Sequence, residues 1–195
     1  MKMSKPKIIV ISGPSGVGKT TLLKRLFFKK FVKNNFTRSI SYTTRQKRPQ
    51  EKQGIDYFFV NKKDFIRLKK KRFFLEYQKV LDNYYGTARY FYTLAKQKNK
   101  DLIVCIDVKG GMYLKNNLKR DKIITIFISV PNKEVLYHRL RKRLEAKFNI
   151  KRRIKLAKKE LQFIKDYDYL IINYDLSDSI KLLGSILIAE RLRKN

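Results

Sequence analysis

Short apolar runs alternate with amphipathic stretches over most of this chain. The runs at 7–12, 102–106, 123–129 and 169–172 are continuous, as is typical of strands in parallel sheets. Apolar residues return at helical spacing in 20–31, and further helices are predicted after Pro131-Asn132 toward Arg143 and at 177–193. This alternation predicts an α/β fold, a doubly wound parallel sheet with right-handed crossovers.

The stretch 36–93 departs from that alternation. It is rich in aromatic and turn residues around one short helix near 62–71. We interpret it as an inserted α+β subdomain between the first helix and the next core strand. Because ligand sites in α/β sheets lie beyond the carboxyl ends of the strands, the insert is the expected site of a second substrate.

Length and composition describe a folded protein of about one domain. The chain has 195 residues, 43% of them hydrophobic, which excludes a disordered polymer. No apolar run approaches the roughly 18–20 residues of a membrane span, and none near the start suits a signal peptide, so we expect a cytoplasmic protein. Cys105 is the single cysteine, and we expect it to be a buried strand thiol. His138, the single histidine, is expected at the surface.

The charge is the most unusual feature of the composition. Forty-eight Lys and Arg residues against 16 Asp and Glu give a formal net charge of +32, which favours anionic partners. The basic residues are spread along the whole chain and do not form one tail. We therefore expect no specific nucleic-acid partner, while non-specific polyanion binding stays possible and a nucleic-acid-binding protein stays an alternative.

A complete phosphate-binding loop follows the first strand. Its pattern G-x-x-x-x-G-K-[ST] is formed by Gly13, Pro14, Ser15, Gly16, Val17, Gly18, Lys19 and Thr20. The loop has an apolar strand before it and a helix after it, which is the context that the motif requires. Successive backbone N–H groups and the helix N-terminus then face one anion, Lys19 reaches the β- and γ-phosphates, and the Thr20 hydroxyl binds Mg²⁺. The loop predicts binding of a nucleoside triphosphate such as ATP, and it leaves the acceptor open.

A second set of motifs lies in the insert. The pattern S-x-T-T-R-x-x-R at 41–48 places Arg45 and Arg48 three residues apart. One guanidinium group can bind two phosphate oxygens at once. Y-F-F-V at 57–60, F-L-E at 74–76 and N-Y-Y-G-[ST] at 83–87 follow. Alone, the arginines would indicate a solvated basic loop. The ordered set is similar to guanylate kinases, and the resemblance runs from the first strand to the last helix.

The resemblance implies a P-loop kinase fold and a set of roles for the acceptor site. The residues implied for the GMP phosphate are Arg45, Arg48, Tyr57 and Tyr85, and those for the guanine are Ser41, Glu76, Thr87 and Asp107. Guanine presents N1–H beside an exocyclic amine, so an ionised Glu76 accepts from both, whereas adenine offers only an acceptor at N1. The structural alternatives are that Glu76 is a surface acid and that Tyr84 and Tyr85, or one of them, are core aromatic residues. Asp107 would also help to hold Mg²⁺ through water. Two residues before it stands Cys105, where the family has another acid.

The resemblance also implies a lid and an adenine contact. Arg139, Arg143 and Arg153 correspond to the lid arginines, which neutralise charge on the transferred group; a basic helical face is the alternative. The lid lacks the family's glycines. Asn173 corresponds to a residue near the ATP adenine. Lys19, Arg45 and the three lid arginines are the implied catalytic residues.

The expected organisation is one guanylate-kinase-like domain over 1–195, with a core of 1–34, 95–138 and 155–195, a GMP-binding insert at 35–94 and a short helical lid at 139–154. The implied reaction is transfer of a phosphoryl group from ATP, with Mg²⁺, to GMP and also dGMP. A non-catalytic interaction module of the same fold and a kinase for another monophosphate are the alternatives.

Overall fold

The structure is a computed structural model that describes residues 6–119, 122–141 and 147–193. In chain order its elements are β1 (Ile8–Ser12), α1 (Lys19–Leu26), α2 (Lys30–Asn35), β2 (Phe36–Arg38), β3 (Tyr42–Thr43), β4 (Phe58–Phe59), α3 (Lys62–Lys70), β5 (Phe74–Val80), β6 (Asn83–Ala88), α4 (Tyr90–Gln97), β7 (Asp101–Cys105), α5 (Val108–Asn117), β8 (Ile123–Ser129), α6 (Lys133–Arg141), α7 (Lys147–Glu160), a 3-10 helix (Leu161–Asp166), β9 (Tyr169–Ile172) and α8 (Leu176–Leu192).

The strands form two sheets. The larger sheet has the order β2-β7-β1-β8-β9, and its β2–β7 and β8–β9 pairs are parallel. The smaller sheet has the order β4-β3-β6-β5, with β6 antiparallel to both β3 and β5. The expectation of an α/β fold with an additional α+β part is therefore confirmed. No helix among the described residues is long and apolar enough to cross a membrane.

The chain forms two compact units, one made of 1–10 and 35–124 and the other of 11–34 and 125–195. In the first unit, one apolar cluster joins β1, β7 and α4 through residues such as Val10, Leu102 and Phe91. The smaller sheet of this unit has an aromatic core, in which Phe65 of α3 stacks on Phe74 and on Tyr84. Tyr84 thus belongs to this aromatic core, in agreement with the alternative that one of Tyr84 and Tyr85 is a core residue.

The second unit includes residues 125–129 of β8, a strand whose seven residues are all buried. Helix α1 contributes its buried face, Leu22, Leu23 and Leu26, and packs against α8. These apolar side chains at helical spacing exclude water from one face of the helix, which stabilises it in the absence of strong capping.

The predicted helix over 20–31 is wrong in its second half. Helix α1 ends at Leu26, and the N–H groups of Phe28 and Lys29 bond three residues back, which tightens the last turn. A separate helix, α2, begins at Lys30. Phe28 is 73% exposed, so the apolar spacing that suggested one long helix does not mark a continuous buried face.

Other expectations are corrected in detail. The helix near 62–71 is α3, whereas α2, α4, α5 and α7 were not anticipated as separate helices. The bounds of the insert, 35–94, stay a prediction. Cys105 is half-buried because it is the last residue of β7. His138 is exposed, as expected.

Candidate nucleotide sites

The phosphate loop lies in the second unit, between β1 and α1. Gly13 has a φ of 141°, and a β-carbon there would lie 2.0 Å from the carbonyl oxygen of Ile128, so only glycine fits. The Lys19 ammonium donates to the carbonyl oxygen of Gly13 and, at 2.9 Å, to that of Pro14. Its charge is therefore directed into the loop itself.

The loop is fixed from outside by a buried polar network. The carbonyl oxygen of Val17 accepts hydrogen bonds from Asn173 Nδ2 at 2.7 Å and from Arg139 Nη1 at 3.2 Å. Arg139 Nη2 also donates to the backbone oxygen of Asn173, and Ser179 Oγ donates to Asn173 Oδ1 at 3.0 Å. Asn173 and Ser179 are both buried. Both polar ends of the Asn173 side chain thus hold the loop and α8 together.

Three further residues are expected to act on ATP or on the transferred phosphoryl group: Thr20, Arg153 and Arg143. Thr20 is the second residue of α1 and is half-buried. Arg153 is a half-buried residue of α7. Arg143 lies outside the described residues, so its place in a lid stays a prediction, as does the lid itself.

The expected acceptor-phosphate residues come together in the first unit. Arg45 Nη2 lies 2.7 Å and 2.9 Å from the two carboxylate oxygens of Glu51, and the Arg45 guanidinium carbon lies 5.5 Å from the centre of the Tyr57 ring. Glu51 also accepts from the Arg48 backbone N–H and lies 3.6 Å from its guanidinium. The Tyr57 and Tyr85 rings are 6.1 Å apart. Two guanidinium groups therefore share one carboxylate, and the Tyr57 ring lies against one of them with Tyr85 beside it.

Electrostatics in this cluster follow from that pairing. Burial raises the pKa of Glu51, but the hydrogen bonds from Arg45 and from the Arg48 backbone outweigh it and hold the pKa below its ordinary value. Burial likewise raises the pKa of Tyr57, with Cys105 and Tyr85 adding to the effect. The tyrosine therefore stays neutral and can donate a hydrogen bond to an anion.

The expected base-reading residues lie on facing strands of the smaller sheet. Glu76 of β5 pairs with Thr87 of β6, and Thr87 Oγ1 donates to Glu76 Oε1 at 2.8 Å. Glu76 is only 3% exposed, which excludes the surface-acid alternative. Burial, and next the charge of Asp107, raise its pKa to about 8. Ser41, also buried, directly precedes β3, the other neighbour of β6.

Asp107 begins α5. Its Oδ1 accepts the Gly110 N–H at 3.0 Å, which makes it the N-cap of that helix. The sequence placed Asp107 after the strand correctly but did not anticipate this capping role, although an Asp directly before a helix is a sequence signal for it.

The geometry can be compared with known proteins. The family model described as Guanylate kinase matches residues 5–190. The chain belongs to the guanylate kinase family. It is 40% identical over 189 residues to the guanylate kinase of Wolbachia sp. subsp. Brugia malayi, covering 96% of this chain and 95% of the relative. It is 41% identical over 192 residues to that of Clostridium tetani, covering 98% and 89%.

A solved structure agrees. The crystal structure of guanylate kinase from Anaplasma phagocytophilum superposes with a TM-score of 0.80 at 30% identity, over 98% of this chain and 89% of that one. Membership of the guanylate kinase family and the doubly wound α/β fold of P-loop kinases with an inserted subdomain are therefore confirmed.

Sequence reasoning missed three residues that this guanylate kinase fold brings to the sites. Glu51 joins Arg45 and Arg48, Ser179 fixes Asn173, and Gly110 lies against Glu76. Glu51 had a signal, since it is an acid three residues after Arg48 in a chain with few acids. Gly110 had none, because its partner Glu76 is distant in sequence, and no motif marked Ser179 although Asn173 is only six residues away.

Proposed function

We propose that the protein is an ATP-dependent guanylate kinase, which transfers the γ-phosphoryl group of ATP to GMP, and to dGMP, forming ADP and the nucleoside diphosphate. The family membership supports the reaction. The observation that carries the choice of acceptor is the buried Glu76 carboxylate, bonded to Thr87 between two strands of the insert.

The Glu76–Thr87 pair suits guanine chemically. The ionised carboxylate accepts from guanine N1–H and the exocyclic amine together, and Thr87 and Ser41 lie on neighbouring positions of the same sheet. An ionised carboxylate has no hydrogen to donate, so a base with an acceptor at N1, such as adenine, forms no hydrogen bond at N1 with the form of Glu76 that guanine requires. We include Asp107 in this part of the site because its charge acts on Glu76.

The phosphate of GMP would be bound by Arg45, Arg48, Tyr57 and Tyr85. Glu51 orients both guanidinium groups, so that they need little reordering to bind phosphate. Arg45 and Arg48 then neutralise the acceptor and orient its oxygen for in-line attack. That oxygen is already ionised, so the transfer needs no general base.

ATP would bind through the loop 13–20. Backbone N–H groups and the start of α1 face its phosphates, and Lys19 exchanges its bonds to loop carbonyl oxygens for phosphate oxygens. Asn173 and Arg139 act here by holding Val17 in place. We further propose that Asn173 contacts the adenine. We also propose that Arg139, Arg143 and Arg153 contact the transferred phosphoryl group.

The residues at the loop fit a magnesium ion carried by the nucleotide. Among the described residues no three metal-binding side chains cluster, and a nucleotide-borne Mg²⁺ takes most of its ligands from phosphate and water. The half-buried Thr20 hydroxyl at the start of α1 would bind the ion, with Asp107 acting through water. When bound, Mg²⁺ neutralises charge on the phosphates.

We extend the proposal to the organisation of the chain and to its place in the cell. The core, the insert at 35–94 and a lid at 139–154 are the functional parts that we assign. Activity on nucleotides and the lack of a membrane-crossing helix among the described residues agree with a cytoplasmic enzyme.

The test is a coupled assay of GDP formation with ATP, Mg²⁺ and either GMP, dGMP, AMP or UMP. We expect activity with GMP and dGMP only. Lys19→Ala should lower kcat/KM by about 10²-fold or more, whereas Lys24→Ala, an exposed lysine of the same helix, should leave it unchanged. GMP binding without GDP formation would instead establish a non-catalytic module, and a preference for AMP would remove Glu76 from its assigned role.

A further inference from the structure

The first turn of α5 lies directly against the Glu76 carboxyl group. A β-carbon built on Gly110 would be 2.8 Å from Glu76 Oε2 and 3.4 Å from Glu76 Cδ. It would also be 3.3 Å from Cδ1 of Ile106. Real β-carbons essentially never approach another heavy atom within 3.0 Å. Position 110 therefore admits glycine alone while Glu76 keeps its place.

A shift of either partner would disturb the hydrogen bond that holds it. Thr87 holds the other carboxylate oxygen, Oε1, at 2.8 Å, and the register of β5 and β6 fixes both residues. On the helix side, the Gly110 N–H is bound by the Asp107 N-cap at 3.0 Å. The Glu76 carboxyl group is thus fixed at one oxygen by a hydroxyl and supported at the other by the backbone of α5.

We propose that Gly110 is a positioning residue that determines specificity for guanine, an inference that rests on the proposed function. Because Gly110 has no side chain, Oε2 of Glu76 lies beside the first turn of α5. The carboxylate then presents both of its oxygens to the two adjacent donors of the base. A methyl group at this position tilts the carboxylate, and a tilted carboxylate pairs with only one of the two donors.

The experiment compares GMP with IMP, whose base keeps N1–H but lacks the exocyclic amine. In Gly110→Ala, KM for GMP should rise about 10-fold or more, as for a lost hydrogen bond to a charged group, while KM for IMP changes much less and kcat stays similar. Gly184→Ala is the matched control, since its added methyl would meet Leu26 of α1 at an ordinary 3.9 Å. An equal loss for GMP and IMP would show general damage to the insert and overturn the assignment.

A double variant tests the contact itself. Glu76→Asp shortens the side chain and withdraws the carboxylate from Gly110, so Gly110→Ala should cost less than twofold in that background. Additive losses would overturn the proposal. If Gly110→Ala alone does not fold, the double variant should fold, and its failure to fold would equally overturn the proposal.

A measurement without nucleotide separates this inference from the proposed function. Wild-type protein that neither binds nor phosphorylates GMP would refute the proposed function. The position of the carboxyl group is read independently by a carbon NMR titration of Glu76, whose pKa should fall in Gly110→Ala as the group leaves its buried place. An unchanged Glu76 pKa would contradict the role of Gly110.

Discussion

Glu76 shows what one buried residue contributes to this protein. In the sequence it is the acid of the F-L-E motif at 74–76, and the resemblance to guanylate kinases implied its role. Its pKa of about 8 depends on burial and on the charge of Asp107, and neither is visible in the local sequence. In the nucleotide-free protein near neutral pH, most molecules therefore carry a protonated Glu76, whereas the guanine contact requires the ionised form.

The raised pKa predicts that GMP binding releases a proton. Below about pH 8, GMP affinity should fall as the pH falls, approaching about tenfold for each pH unit. The measurement is isothermal titration calorimetry in buffers of different ionisation enthalpy, kept above about pH 7 because the phosphate of GMP itself titrates near pH 6. Binding with no proton release would contradict the prediction.

Glu76→Gln is the control for this effect. The variant cannot release the proton, so its weaker GMP binding should be independent of pH in the same range. Stability gives a second reading: the unfolded chain has an ordinary Glu pKa, so folded wild type binds the extra proton and loses stability as the pH rises toward 8. The variant should lose less stability over that rise.

At the scale of elements, the phosphate loop depends on helices that follow it by more than a hundred residues. Arg139 of α6, Asn173 after β9 and Ser179 of α8 form one network with the Val17 carbonyl oxygen. A loop that contains three glycines, Gly13, Gly16 and Gly18, is flexible by itself. The network supplies the rigidity that a preformed anion site requires.

The two serines of α8 allow a matched test of that network. Ser179 is buried and bonds to Asn173, whereas Ser185 is exposed and bonds to the Lys181 carbonyl oxygen of its own helix. Ser179→Ala should lower the free energy of unfolding by about 1–3 kcal/mol and raise KM for ATP, because Asn173 loses its orientation. Ser185→Ala should change neither. The measurements are thermal melts and ATP kinetics of both variants. Equal stability and equal KM for ATP in the two variants would contradict the role of the network.

At the scale of the whole molecule, the most unusual physical property is the net charge of +32. Like charges spread over a folded chain repel one another and destabilise its compact state. Salt screens this repulsion, with a Debye length of about 10 Å at 0.1 M and about 3 Å at 1 M.

We therefore expect the melting temperature to rise with ionic strength. For a chain of this size, each kcal/mol of repulsion removed should raise it by about 2–4 °C. Differential scanning calorimetry in NaCl and in KCl, without phosphate or nucleotide, is the measurement, and the two salts should give the same curve. A melting temperature that is constant or falls with salt would show that repulsion does not limit stability.

The sequence by itself determined the central strands, the phosphate loop and the order of the acceptor motifs. These features are local: a strand needs a continuous apolar run, and a phosphate loop uses the backbone of eight consecutive residues, 13–20. The same local reasoning extended α1 to 31 incorrectly, because apolar spacing does not tell whether Phe28 is buried.

Only the tertiary structure decided which distant groups meet. Thr87 beside Glu76, and Gly110 beside the same carboxyl group, are contacts set by strand register and helix placement. The pairs Glu76–Thr87 and Asn173–Val17 are separated by 11 and 156 residues, so spacing along the chain carries no information about them. Burial, which these contacts create, then sets the pKa of Glu76 and with it the conditions under which guanine can be bound.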